Sequence, residues 1–83
     1  SEEGFVMERR QQIIYMQVRL VRKAAEAWGV PIDEAVKRLA AFQVPQYIED
    51  NYDLLHMEGD EAIFADITQL MERRGAMADA ATC

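Results

Sequence analysis

Acid–base or nucleophilic chemistry in this sequence would have to involve His56, the only histidine in the chain. A histidine activates a hydroxyl or thiol by removing its proton, and the side chains available for that role are Ser1, Thr68, Thr82 and Cys83. Three of these lie near the chain ends, and the fourth has no supporting motif. No G-x-S-x-G motif, P-loop or dinucleotide-binding glycine pattern is present. We therefore predict that the chain is not an enzyme, and a small enzyme using His56 and Asp66 remains an alternative.

Acidic side chains surround this histidine, and together they raise the question of a metal site. Nine consecutive residues contain Asp53, His56, Glu58, Asp60 and Glu61. The residues ahead of Gly59 do not follow the order of an EF-hand loop. A single histidine with carboxylates and no neighbouring cysteine makes a poor zinc site. The pattern is better explained by helix caps around a glycine turn, so we predict no metal and no other cofactor.

Two predicted helices separated by a break at residues 43–45 resemble a helix-turn-helix in outline. The second presents the carboxylates of Glu49 and Asp50 and contains no lysine or arginine. Because neutralisation of phosphate charge supplies much of the affinity for DNA, these carboxylates would oppose binding. Nucleic acid is therefore disfavoured as a partner, and a DNA-binding regulator is retained as the second alternative.

Charge is unevenly distributed along the chain, whose formal net charge is −6. Every lysine and arginine lies at residues 9–38 or 73–74. Residues 39–71 contain no lysine or arginine and carry Glu49, Asp50, Asp53, Glu58, Asp60, Glu61 and Asp66. If Arg9, Arg10, Arg19 or Arg22 folds over this segment, its charge is partly neutralised; otherwise it forms a surface that attracts a basic protein. Three carboxylates expected outside the core form the candidate partner surface, namely Glu49, Asp50 and Glu58.

The spacing of apolar residues, together with the positions of proline and glycine, predicts an all-α fold. The predicted helices cover about Phe5–Trp28, Ile32–Phe42, Pro45–Asp50, Leu54–Met57 with Asp53 as N-cap, and Asp60 to a point before Gly75. This is a small single-domain bundle of one long helix plus three or four shorter helices, over residues 1–75. Residues 76–83 are predicted to form a flexible C-terminal tail.

The first helix carries a wide apolar stripe in which Met7, Ile14, Val21 and Trp28 recur every seven residues. Such a helix is longer than the rest of an 83-residue chain can cover. We therefore expect a homodimer formed through helix one. In the second helix, Val36 is expected on the buried face with Ala35, Leu39 and Ala40. No apolar run is long enough to cross a membrane.

Aromatic residues and a histidine stand together around the short fourth helix. Tyr47, Tyr52 and His56 are expected to be core residues whose polar tips find partners. Asp66 lies among apolar residues of the last helix, so it also needs a partner. We expect a hydrogen bond between His56 and Asp66, which would make this histidine a structural residue.

The same region resembles a family of short bacterial proteins of unknown function. The residues that carry the resemblance are Tyr47-Ile48, Tyr52-Asp53-Leu54-Leu55-His56-Met57-Glu58-Gly59 and Asp66-Ile67. They fit the family pattern Y-[IL]-x3-Y-D-x-L-H-x-x-G-x6-D-I, and the similarity covers about residues 12–74. The chain departs from the family at Pro31, where serine or threonine is common, and at Met57, where threonine is common.

This resemblance implies a bacterial source and a small helical fold, with no established activity. Genes of the family are thought to lie beside toxin-like genes, including ADP-ribosyltransferase-like ones, which implies an antitoxin-like or accessory role. The pattern positions Tyr47, Tyr52, Asp53, His56, Gly59 and Asp66 are then candidate functional or structural residues. The single cysteine, Cys83, cannot pair within the chain, which favours a reducing cytoplasm. We predict a cytoplasmic, non-catalytic protein-interaction module.

Overall fold

Five α-helices make up the computed structural model, which describes the backbone of residues 8–82 and the side chains of residues 8–75. The helices are α1 (Arg9–Trp28), α2 (Ile32–Ala41), α3 (Val44–Asp50), α4 (Tyr52–Leu55) and α5 (Asp60–Thr82). No strand occurs in this part of the chain. The predicted all-α class, with a long first helix and shorter ones after it, is confirmed.

Helix α1 ends where the sequence predicted, because Gly29 adopts the left-handed conformation with φ of 65°. The N–H of Val30 then donates to the carbonyl of Ala25 at 3.0 Å, which closes the helix in the manner of a Schellman motif. Pro31 follows and prevents continuation. The predicted start near Phe5 lies outside the described residues. Glu8 has an extended backbone, so the described helix begins at Arg9.

The break between α2 and α3 is made by a residue other than glycine in the left-handed region. Gln43 has φ of 59°, and its N–H donates to the carbonyl of Ala40 at 2.9 Å. Helix α3 then begins at Val44, with Pro45 in its first turn, where a missing N–H costs nothing. The break between the two helices is two residues long, and α3 packs against both α1 and α2.

Three predicted helix boundaries are wrong: both ends of α4, which was expected at Leu54–Met57, and the end of α5. Helix α4 begins at Tyr52 because the carbonyl of Asn51 accepts the N–H groups of Leu54 and Leu55, so Asp53 lies inside the first turn and is not the N-cap. Helix α5 continues through Gly75 to Thr82. A glycine inside a helix costs only about 1 kcal/mol relative to alanine, and the alanine-rich residues beyond it favour helix. The flexibility of residues 76–83 stays a prediction.

The core forms around α1, which contacts α2, α3 and α5. Every helix contributes at least one buried apolar side chain: Ile13, Met16, Leu20, Ala24, Ala25, Ala35, Leu39, Val44, Ile48, Leu55, Ile63, Ile67 and Leu70. No polar or charged side chain in the described part is buried. None of the described helices is long and apolar enough to cross a membrane.

Candidate functional site

Tyr52 lies on α4 and His56 directly follows that helix, but neither side chain reaches Asp66. Tyr52 is half-buried, and its hydroxyl donates to Oε1 of Gln12 on α1 at 3.2 Å. The ring of His56 stacks on the Tyr52 ring, with centroids 5.2 Å apart. His56 itself is exposed. The predicted hydrogen bond between His56 and Asp66 is therefore wrong, because the histidine ring is turned towards its own helix.

Tyr52 instead links α4 to the start of α1 with the help of a charged neighbour. The guanidinium carbon of Arg9 lies 5.4 Å from the Tyr52 ring centroid, a cation–π distance. The same guanidinium group donates to Asp53 at 2.6 Å. Hydrogen bonding to Arg9 holds the pKa of Asp53 below its ordinary value. Asp53 is thus a partner of α1, and its carboxylate is occupied within the chain.

Asp66 pairs with a second carboxyl group. Glu58 lies in the turn before α5 and Asp66 is half-buried on that helix. A hydrogen bond to Asp66, followed by desolvation and repulsion between the two charges, raises the pKa of Glu58 above its ordinary 4.5. Two carboxylates can form that bond only when they share a proton. The pair therefore connects the turn to α5 in a way that depends on protonation.

Replacing Glu58 with glutamine should stabilise the protein at neutral pH. A raised folded-state pKa means that this contribution to stability is fully present below the unfolded pKa and is lost as pH rises through the folded pKa. Glutamine keeps a hydrogen-bond donor at every pH and removes the repulsion. Thermal unfolding from about pH 4 to about pH 7 should show the E58Q advantage in Tm growing with pH.

Glu49 provides the matched control, because it is exposed and has no ion pair or hydrogen bond in the described part of the chain. The E49Q variant should have the same Tm as the natural sequence at every pH. Parallel Tm profiles for E58Q and E49Q would show that the carboxyl pair does not contribute to the pH dependence.

Three ion pairs join the acidic segment to α1 and neutralise part of its charge. Arg9 contacts Asp53 at 2.6 Å, Arg19 contacts Asp60 at 3.3 Å, and Lys23 contacts Glu61 at 2.5 Å. Each pair has at least one partner that is about half exposed or more, so solvent screening keeps its contribution to stability small. Their effect is to neutralise this side of the segment, so Asp53, Asp60 and Glu61 do not belong to an open acidic surface.

The carboxylates that remain without a cationic partner among the described residues include the three predicted as partner surface. Glu49 and Asp50 end α3, and Asp50 accepts only the side-chain amide of Gln46 at 2.8 Å. Beside them in sequence stand the most exposed large apolar side chains of the described chain, Leu54 at 73% and Met57 at 78%. We call these residues the acidic face: Glu49, Asp50, Leu54, Met57 and Glu58.

A second uncovered surface is an apolar groove of about 480 Å³ along α1. We define the α1 groove by its apolar lining residues, Ile14, Val18 and Val21 from α1, Ile32 and Val36 from α2, and Pro45 from α3. Val36 was predicted to be buried, but it is 45% exposed and forms the α2 wall. The apolar stripe in the sequence predicted the α1 residues of this groove. It did not predict the α2 residues, because Val36 and Ala40 were expected to be buried, whereas each directly follows a buried residue and is itself exposed.

The structure also places the residues considered for catalysis, metal binding and DNA contact. The hydroxyl of Thr68 donates to the carbonyl of Phe64 in its own helix. No group of three or more histidine, cysteine or acidic side chains is placed to hold a metal between residues 8 and 75. On α3, the helix compared with a DNA recognition helix, Glu49 and Asp50 are exposed.

The fold and these surfaces define a small all-α domain of five helices. Residues 15–74 match the family described as "Protein of unknown function (DUF3791)", and the chain belongs to that family. Neither a curated protein nor a solved structure matches the chain. The matched region contains the acidic face and the lining of the α1 groove except Ile14. The resemblance to a family of unknown function is confirmed, while the sequence pattern, bacterial source and toxin-like gene neighbours stay predictions.

Proposed function

We propose that this protein is a non-catalytic protein-interaction module that acts as an accessory, antitoxin-like partner of a basic protein encoded nearby. The observation that carries the proposal is the acidic face. It combines two large apolar side chains that nothing in the described chain covers with three carboxylates that lack a cation. A bound protein would supply both the apolar cover and the positive charge.

The apolar part of the acidic face would provide the affinity. Burying a leucine or methionine side chain that starts exposed is worth about 1.5–3 kcal/mol. Leu54 and Met57 stand one turn apart, since the N–H of Met57 donates to the carbonyl of Leu54 at 3.2 Å. The two side chains can therefore enter one pocket of a partner, as central apolar anchors do in protein interfaces.

The carboxylates of the acidic face would determine how fast a partner associates and which partner binds. Carboxylates without a cationic partner at the edge of an interface attract a basic surface and raise the association rate at low salt. The acidic residues already paired with α1 would contribute little to this attraction. We therefore propose residues 49–58, and not the whole segment 49–66, as the partner surface.

The test is to co-express the chain with the product of each adjacent gene, purify the complex, and measure association rates by surface plasmon resonance. Reversal of Glu49, Asp50 and Glu58 to lysine should slow association at low salt by about tenfold or more. Met57→Glu should weaken the complex mainly through faster dissociation. Glu72→Lys, an exposed reversal on α5, is the matched control and should leave both rates unchanged.

An association rate that is unchanged by the triple reversal and by an increase in salt concentration would contradict the proposal. If duplex DNA binds to the purified chain and its affinity falls steeply as the salt concentration rises, the DNA-binding alternative is supported instead.

A further inference from the structure

The α1 groove is not used by the proposed function, and nothing in the described chain covers it. Ile14, Val18, Ile32 and Val36 are each 43–51% exposed and line it from two helices. Tyr15, beside Ile14 on α1, is 55% exposed. Monomeric proteins seldom expose large contiguous apolar patches, and such patches usually mark interaction sites.

The charges near the groove indicate what covers it. Residues spaced by four form a ridge along a helix, and on α1 an exposed ridge consists of Arg10, Ile14, Val18, Arg22 and Glu26. Its centre is apolar, Arg10 lies at one end, and Arg22 and Glu26 lie at the other end. Neither Arg10 nor Glu26 makes an ion pair in the described chain. They cannot pair with each other, because sixteen residues of helix separate them by about 24 Å.

We propose that a second copy of this chain covers the α1 groove, with the two α1 helices packed antiparallel around a twofold axis at Val18. The axis places Arg10 opposite Glu26 of the partner subunit, and Glu26 opposite the partner's Arg10. A twofold interface requires such self-complementarity, because each contact occurs twice with the roles exchanged. A parallel arrangement would instead bring equal charges together.

The geometry also provides apolar burial for this dimer. Ridges of one helix pack into the grooves beside another, so Ile14 and Val18 would enter the groove between α1 and α2 of the partner subunit. Tyr15 would lie near Val21 of the partner subunit at the edge of the contact. Leu54, Met57 and Glu58 of the acidic face do not line the groove, whereas Glu49 and Asp50 lie beside Arg10 and Ile14 in a neighbouring pocket.

Sedimentation equilibrium at micromolar concentration tests the dimer directly. The natural chain should sediment at twice its 9.5 kDa mass. Val18→Glu, which places two carboxylates at the axis, should raise the dimer dissociation constant more than about a hundredfold. Met57→Glu, an equally drastic change at an exposed apolar residue outside the groove, is the control and should leave the dimer intact. Circular dichroism should show unchanged helix content in both variants.

A charge exchange tests the antiparallel register without touching the apolar surface. Arg10→Glu and Glu26→Arg should each weaken the dimer by roughly tenfold, because each removes two ion pairs and adds two repulsions. The double variant R10E/E26R restores both pairs and should recover the dissociation constant to within about threefold. Since the two residues cannot meet within one chain, recovery must come from contact between chains.

A monomer at every concentration would overturn the proposal, and so would a double variant weaker than either single variant. These failures are distinguishable from failure of the proposed function. Val18→Glu should abolish dimerisation and spare binding to the basic partner, while Met57→Glu should do the reverse.

Discussion

Leu20→Ala is expected to lower the free energy of unfolding by about 2–5 kcal/mol. Leu20 is 1% exposed and lies in the middle of α1, the helix that contacts α2, α3 and α5. Truncation removes apolar burial and leaves a cavity that three helices would have to move to fill. At about 0.05–0.15 kcal/mol per residue, a domain of this size has a total stability of the same order. A large fraction of the variant should therefore be unfolded at 37 °C.

The matched control is Leu54→Ala, the same substitution at a leucine that is 73% exposed. It should change the stability by less than about 0.5 kcal/mol. Urea unfolding followed by circular dichroism measures both variants, at one fixed protein concentration because dimerisation would add to apparent stability. Equal losses at Leu20 and Leu54 would contradict the central position of α1 in the core.

Helix ends determined by a residue's own backbone preferences were predictable from the sequence. Gly29 ends α1 because glycine adopts positive φ without a side-chain clash, and Pro31 prevents continuation. At Gly75 the same argument fails. A glycine only weakens a helix, and a Cβ at this position would lie 3.7 Å from the ring of Phe42, so α5 passes close to the α2–α3 turn here. The start of α4 depended on the carbonyl of Asn51, which no side-chain pattern indicated.

Pairings between side chains were only partly predictable. The basic character of α1 indicated that it could neutralise the acidic segment, and Arg9 and Arg19 do so. The choice of partner for His56 depends on the angle between α4 and α5. A sequence does not contain that angle, and the histidine stacks on Tyr52 instead. Likewise, the spacing of apolar residues three and four apart in α2 predicted one apolar face, but it did not predict that Val36 would stay exposed beside α1.

The two uncovered surfaces have different chemistry, and this difference supports separate roles. The acidic face has carboxylates of one sign around two apolar side chains, which suits a partner of opposite charge. The ridge beside the α1 groove carries Arg10 at one end and Glu26, one turn after Arg22, at the other, so that Arg10 and Glu26 can pair with a copy of the chain. A surface whose charges are all negative cannot be complementary to a copy of itself. A surface with charges of both signs attracts a distant partner only weakly.

Ala35→Leu is expected to destabilise the protein by about 1–3 kcal/mol, through overpacking. Ala35 is 0% exposed on α2, whose neighbours include α1 and α3, so added side-chain atoms can only be accommodated by moving α2 away from them. Ala40→Leu makes the same change at an exposed position of α2 and should alter stability by less than about 0.5 kcal/mol. Urea unfolding of the two variants provides the comparison. Because movement of α2 would also displace Ile32 and Val36, A35L should weaken the dimer as well, whereas equal stability of the two variants would show that α2 packs loosely on α1.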